Sequence, residues 1–315
     1  MSDQIAVIDL GTNTFHLLVI EINEHGQQRP ILRHKEFVHL GANGLDHLSD
    51  AAFGRGLKAL QTFKEKIDSI GIAASKVYAI GTAALRRADN GAAFIQQVAQ
   101  ETGIQIKRIS GHTEARLIHS GVKQTIRLKD TNYIIMDIGG GSVEFIITDH
   151  QQIFWQQSFP IGATILKNTF HKNDPITNEE LAELEDYFEA MLPPLLEATS
   201  NYELGALVGA SGSFDVLRAL IATKKNIAVE QTSCTIELAD FYEIYDLLLS
   251  SNYEERLAIP DMPPNRAKLI VVAMVLIRWV LERLYLTDLY QSDYAMKEGI
   301  ISEVMEGKEI VGEVL

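Results

Sequence analysis

The sequence predicts an α/β protein in which one order of strands is used twice, and three observations carry that reading. A β-rich run ending in Asp-apolar-Gly and a polar turn occurs at Ile5 to Thr14 and again at Tyr133 to Ser142, with Asp9 and Asp137 standing 128 positions apart. Each turn leads into a second apolar run, Phe15 to Ile22 and Val143 to Thr148, which is hairpin spacing. Between the strands lie segments whose apolar residues recur three and four apart, the period of a helix with one buried face.

Taken in order, the first half predicts a third strand within Pro30 to Leu40. A helix follows over Ala51 to Ile70, with Phe53, Leu57, Leu60, Phe63, Ile67 and Ile70 on one stripe. Val77 to Ile80 is a buried strand entering GTAALRRADNG, followed by a helix over Ala92 to Thr102, a strand around Ile104 to Ile109, and a helix opened by SGHTEARL. The second half predicts a third strand at Ile153 to Phe159. Thr177 and Glu180 have capping-box spacing and launch an acidic amphipathic helix that Pro193 and Pro194 interrupt. Ala206 to Val208 is a strand running into GASGS (Gly209 to Ser213) and a helix through Ile221, and Arg266 to Tyr285 reads as a long, largely buried helix.

Composition bounds the classes available. The chain has 315 residues, 46% hydrophobic and 22% charged, which excludes a disordered or fibrous protein and allows roughly two domains of about 150 residues. One cysteine, Cys234, excludes an intrachain disulfide and a cysteine-based metal framework and fits a reducing compartment. The N-terminal residues lack a signal-peptide pattern, and the longest apolar run, Leu269 to Ile277, is about half a membrane span. A cytoplasmic protein without membrane or nucleic-acid partners is expected, since the formal charge is -14. That charge is uneven: residues 1 to 130 are net +3 and residues 131 to 315 net -17.

The chemistry gathers in the turns. Glycines allow positive φ and let backbone N–H groups converge on an anion. An aspartate at the end of each first strand repels phosphate directly but is suited to hold Mg²⁺, or water on Mg²⁺, that bridges to phosphate oxygens. A single D-x-G turn reads most simply as a plain hairpin. Two matched turns followed by GASGS after a further strand point instead to a phosphate-handling protein.

Five segments together resemble one family: AVIDLGTNTFHLLVI (Ala6 to Ile20), GTAALRRADN (Gly81 to Asn90), SGHTEARL (Ser110 to Leu117), IIMDIGGGSVEFII (Ile134 to Ile147) and GASGS. In their order and spacing they are similar to the exopolyphosphatase and guanosine pentaphosphate phosphohydrolase (Ppx/GppA) family, and SDYAMKEGI (Ser292 to Ile300) resembles its C-terminal signature more loosely. The resemblance covers essentially the whole chain. It implies two ribonuclease H-like domains of the actin-like, hexokinase-like ATPase superfamily with an interdomain cleft. The domains expected are 1–125 and 126–296, with a C-terminal helix at about 297–315 packing back on the first.

Position by position, the resemblance makes Glu114 the catalytic base that orients or deprotonates water. It makes Asp137 and Glu144, with Asp9, the metal-associated acids, and Arg86 a phosphate contact. Gly11, Thr12, Asn13, Gly140, Gly141, Ser142, Ser211, Gly212 and Ser213 would form the anion cradle. From the residues alone, Glu114 reads more simply as a surface helix residue paired with Arg116 or a neighbour, and His112 as a loop residue, while Arg87 reads equally as a solvent-facing charge. His16, Cys234 and the aromatics read as packing. Lys297 stands where family members often have Arg, giving a point charge in place of a planar fork. With 315 residues, the additional C-terminal helical domain of long members is not expected.

The leading expectation is therefore a Mg²⁺-dependent exopolyphosphatase releasing orthophosphate, with guanosine pentaphosphate as the alternative substrate and a homodimer as the family tendency. A sugar- or acetate-type kinase and a non-catalytic polyphosphate or nucleotide sensor are the other classes the fold allows. Arg86, Arg87, Lys107, Arg108, Arg116, Lys123, Arg127 and Lys129 are expected to lay a track for the polyanion along the first half.

Overall fold

A computed structural model describes residues 3–42, 44–128, 131–229 and 231–314. It divides into a first unit, Met1–Ser120 with Met296–Leu315, and a second unit, Gly121–Ala295.

In the first unit β1 (Asp3–Leu10), β2 (Thr14–Ile22) and β3 (Gln28–Phe37) form an antiparallel meander. Then come α1 (Asp50–Ile70), β4 (Val77–Gly81), α2 (Ala83–Arg87), α3 (Gly91–Thr102), β5 (Ile106–Arg108) and α4 (Gly111–Val122), within which the division falls. The local signals explain the principal helix. Ser49 caps α1 by accepting from the Ala52 N–H, Gly71 ends it in the left-handed region at φ 83°, and Ala52, Gly56, Leu60, Phe63 and Ile67 make its buried face. Phe53 meets Phe94 of α3 edge-on at 5.0 Å.

The second unit repeats the order. It contains β6 (Asn132–Ile138), β7 (Val143–Thr148), β8 (Ile153–Phe159), α5 (Ala163–Phe170), α6 (Asn178–Met191), α7 (Pro193–Thr199), β9 (Leu204–Ala210) and α8 (Gly212–Lys225). After these come β10 (Ser233–Ile236), α9 (Leu238–Ser250), α10 (Tyr253–Ala258), α11 (Ile270–Arg283) and β11 (Asp288–Ser292). The chain returns to the first unit with α12 (Met296–Met305) and β12 (Glu313–Val314).

The two sheets share one topology. Their orders are β12-β5-β4-β1-β2-β3 and β10-β11-β9-β6-β7-β8. In both, the first strand pairs antiparallel with the second and parallel with a later strand that itself pairs parallel with the next. This is the order and direction of strands of a ribonuclease H-like sheet. The central strands β1 and β6 are buried along most of their length, which is why they read as unbroken apolar runs rather than alternating ones.

One element departs from expectation. The helix expected from Arg266 begins at Ile270, because the N–H groups of Arg266 and Ala267 both turn back onto the Pro263 carbonyl, at 2.8 and 3.2 Å. From Ile270 to Leu281 only Arg278 is not buried, and each fully buried Val, Ile or Leu there contributes roughly 1.5–3 kcal/mol. As the sequence predicts, the prolines interrupt the acidic helix: α6 ends at Met191 and Pro193 starts α7, where its missing N–H costs nothing. Among the described residues no helix is long and apolar enough to cross a membrane.

Candidate active site

In the first unit the C-terminal ends of the parallel strands β1, β4 and β5 lie at one sheet edge, the edge where ligands collect in open α/β sheets. Asp9 is the penultimate residue of β1, and Gly11, Thr12 and Asn13 make the turn into β2. A Cβ on Gly11 would sit 3.0 Å from the Thr14 carbonyl oxygen, so the glycine keeps the turn tight. The Thr12 carbonyl accepts from the N–H of Leu40 at 2.8 Å, and the Asn13 carbonyl from Val38 and His39 at 2.9 Å.

Beyond β4, the Thr82 hydroxyl donates to the Leu10 carbonyl at 3.2 Å and its own carbonyl accepts from Arg86 N–H, which fixes α2 with Arg86 in its last turn. Beyond β5, Ser110 Oγ accepts from Thr113 N–H at 3.1 Å and sets Glu114 in the first turn of α4. The two side chains meet: Arg86 Nη1 donates to Glu114 Oε2 at 2.6 Å and to the Ile109 carbonyl at 3.2 Å. The reading of Glu114 as a surface partner of Arg116 fails, since Glu114 is 8% exposed and Arg116 bonds Glu303. Burial pushes the Glu114 carboxyl above the usual carboxylate range, and the Arg86 guanidinium pulls it only part of the way back. A buried carboxyl of raised basicity is the form a general base takes.

In the second unit Asp137 on β6 stands directly opposite Glu144 on β7, so both carboxylates share one face of the sheet. Both are buried, and Ser158, opposite Glu144 on β8, donates to Glu144 Oε1 at 2.6 Å. Gly140, Gly141 and Ser142 lie in the turn between them. The counterpart of Gly11 is Gly139, whose Cβ would meet the Ser142 carbonyl oxygen at the same 3.0 Å. The first turn of α5 braces this loop: Ala163 N–H donates to the Gly139 carbonyl at 2.9 Å and Thr164 N–H to the Gly140 carbonyl at 3.0 Å. In the first unit the residue opposite Asp9 is His16, so that turn does not repeat the carboxylate pair.

After β9, Ser211 takes φ 69° and ψ 178°, a backbone region held almost exclusively by glycine, and Gly212 and Ser213 open α8. Arg266 packs over this start, since a Cβ on Gly212 would lie 2.1 Å from its Nη2. Burial lowers the Arg266 pKa, and the charges of Asp215 and Asp137 act against that shift. A helix N-terminus beneath a guanidinium favours an anion.

The donors suit Mg²⁺. That ion takes one or two carboxylates, with waters and substrate phosphates completing the shell, and Asp137 and Glu144 supply two. Among the described residues no cluster of three or more His, Cys, Asp or Glu could form an all-protein cage.

Gly139, Ser158 and Arg266 were not singled out from the sequence. Superposing the two Asp-x-Gly turns finds Gly139. Ser158 follows only from β-register, and Arg266 sits in a proline-rich loop without a motif. His112 is exposed and Lys297 half-buried. The proposed cation track is largely neutralised: Arg108 bonds Glu313 at 2.6 Å, Arg87 bonds Asp46 at 2.9 Å, Lys107 lies 3.9 Å from Glu309, and Arg116 pairs with Glu303. Lys129 lies outside the described residues.

Two sheets of one topology, each with a glycine-rich turn after its first strand, define an α/β protein built from two ribonuclease H-like units. The model of the Ppx/GppA phosphatase family matches residues 18–308, and the chain belongs to that family. It is similar to the crystal structure of an exopolyphosphatase from Cytophaga hutchinsonii, with a TM-score of 0.95 at 35% identity over 99% of this chain and 100% of that one. It is also 28% identical to the guanosine-5'-triphosphate,3'-diphosphate pyrophosphatase of Photobacterium profundum over 95% of this chain, which spans 59% of that relative. The Aquifex aeolicus family member shares the fold, with a TM-score of 0.80 at 24% identity over 98% of this chain and 100% of that one.

Proposed function

We propose that this protein is an exopolyphosphatase, hydrolysing the terminal phosphoanhydride of inorganic polyphosphate. The observation that carries the reading is the buried Glu114 carboxyl, its basicity raised by burial and its position held by Arg86. Phosphoryl transfer is largely positioning and charge neutralisation, and these residues supply both. Glu114 takes a proton from the attacking water as its oxygen bonds to the terminal phosphorus. The bridging P–O bond breaks and the shortened chain leaves with the electron pair. Arg86 then turns from carboxylate to phosphate oxygen, a planar donor suited to either. Within the second unit the Gly140–Ser142 and Ser211–Ser213 turns would offer N–H groups and hydroxyls to phosphate.

Mg²⁺ is the proposed cofactor, which Asp137 and Glu144 would hold, and when bound it would neutralise charge on the phosphates. Guanosine pentaphosphate is the second candidate substrate, favoured by the Photobacterium relative, because its 5′-terminal bond is the same phosphoanhydride. We propose a cytoplasmic setting, supported by a lone half-buried thiol at Cys234, and a homodimer as the assembly, which light scattering tests.

The test is orthophosphate release from long-chain polyphosphate and from guanosine pentaphosphate with Mg²⁺. Release from polyphosphate at the higher kcat/KM is expected. Faster turnover of guanosine pentaphosphate selects the alternative, and release from neither defeats both.

A further inference from the structure

The second unit holds a cavity of about 400 Å³ that takes no part in the site described above. It lies against the C-terminal half of α8 and is bounded by Ile227, Ala228, Val229 and Gln231 and by β10. Its walls are apolar, with Ile221 and Ala222 from α8 and Ile236 from β10, and at its mouth Ile227 and Val229 remain 58% and 51% exposed. Apolar surface left in water costs about 25 cal/mol per Å², so an occupant that covers it gains that energy. The volume falls within the roughly 300–1,000 Å³ typical of small-molecule sites.

One end of the cavity is polar. Arg218 is 7% exposed, donates from Nη1 to Gln291 Oε1 at 2.9 Å and to Asp293 Oδ1 at 2.8 Å, and from Nη2 to the Gln231 carbonyl. Among the described residues these use three of the five N–H donors a guanidinium carries, which leaves capacity for an acceptor. The Cys234 thiol also lines the cavity, and burial holds its pKa up, so it is the neutral thiol at neutral pH.

This end is joined to the phosphate-binding turn. Cys234 stands opposite Gln291 in the β10–β11 register, and Gln291 Nε2 donates to Asp215 Oδ1 at 2.9 Å. Asp215 lies in the first turn of α8 and interacts with Arg266, the residue packed over Gly212. One helix and one chain of polar contacts therefore run from the cavity to the Ser211–Ser213 turn.

We propose that this cavity is a regulatory binding site for a small apolar acid, whose body covers Ile221, Ile227 and Val229 and whose head is met by Arg218. Its occupancy is passed through Gln291 and Asp215 to the turn at the start of α8. Coupling requires that the ligand bind two arrangements of this chain with different affinity, and the Gln291 amide is the element that must shift.

The test uses 8-anilinonaphthalene-1-sulfonate, an aromatic body with one anionic head, on the full chain. Expected are saturable one-to-one binding and at least fivefold slower iodoacetamide alkylation of Cys234 at saturation. Affinity should fall at least tenfold in Ala222→Phe, which fills the cavity, and amide hydrogen exchange at Gly212 to Asp215 should change at least twofold in wild type on binding. Binding that leaves Cys234 alkylation unchanged places the probe elsewhere and overturns the site, whether or not Ala222→Phe folds. Protection of Cys234 with unchanged exchange at Gly212 to Asp215 overturns the regulatory coupling. Neither readout needs phosphate release, so failure here is distinct from failure of the phosphohydrolase reading.

Discussion

Glu114 and Arg86 are 28 residues apart, yet the Ser110 cap and the Thr82 turn bring them to 2.6 Å. Burial raises the Glu114 pKa and Arg86 opposes that, so a Glu114 acting as the proposed base would be ionised above its folded pKa, and activity should be lost as pH falls through it. Arg86→Ala removes the opposing charge and should move the acid limb of the kcat profile to higher pH, while Arg86→Lys moves it less; an unmoved limb in Arg86→Ala would show that another group sets it. Ser211 supplies a second residue-scale prediction. Its φ of 69° with ψ 178° costs about 1–3 kcal/mol that glycine avoids. Ser211→Gly should raise stability by about 1 kcal/mol in urea unfolding and weaken substrate binding; a variant no more stable than wild type would remove the case for strain kept at a binding turn.

The elements most legible in sequence were those with a local cause. The two Asp-x-Gly hairpins, the Ser49 to Gly71 helix and the Thr177 capping box all carry their instructions within a few residues. The start of α11 was not legible, because the Pro263 carbonyl takes the N–H groups of Arg266 and Ala267 before the helix begins. The Asp137–Glu144 pair was legible as residue types, but its opposition across the hairpin, and the Ser158 bond, depend on register between strands. Glu180 offers a test at this scale. Burial acts to raise its pKa, but N–H donors from Thr177, Asn173 and Lys172 outweigh burial and hold the carboxyl below the usual range. Its contribution is therefore present above the unfolded carboxylate pKa and lost as pH falls through the depressed folded value. Glu180→Ala should cost about 2 kcal/mol at neutral pH and progressively less in acid, read from urea midpoints; a pH-independent cost would assign the effect to packing alone.

At the scale of the whole molecule, two sheets of one topology carry different chemistry at equivalent positions: His16 opposite Asp9 in one, Glu144 opposite Asp137 in the other. The repeat was legible from its turns, and the family from its motifs. The ion pairs that neutralise the proposed cation track were not, because Arg108 and Arg116 find partners about two hundred positions away, at Glu313 and Glu303. The net charge of -14 excludes a uniformly basic binder but not a hydrolase of polyanions, because a cation held at the phosphate would supply the charge that the surface lacks. The central claim is water attack assisted by Glu114, and the most direct measurement is turnover of long-chain polyphosphate with Mg²⁺ in ¹⁸O-water, comparing wild type with Glu114→Gln. The account predicts one ¹⁸O in each orthophosphate released and a rate at least about 100-fold lower in the variant. Release without ¹⁸O, or a Glu114→Gln variant as fast as wild type, would contradict it.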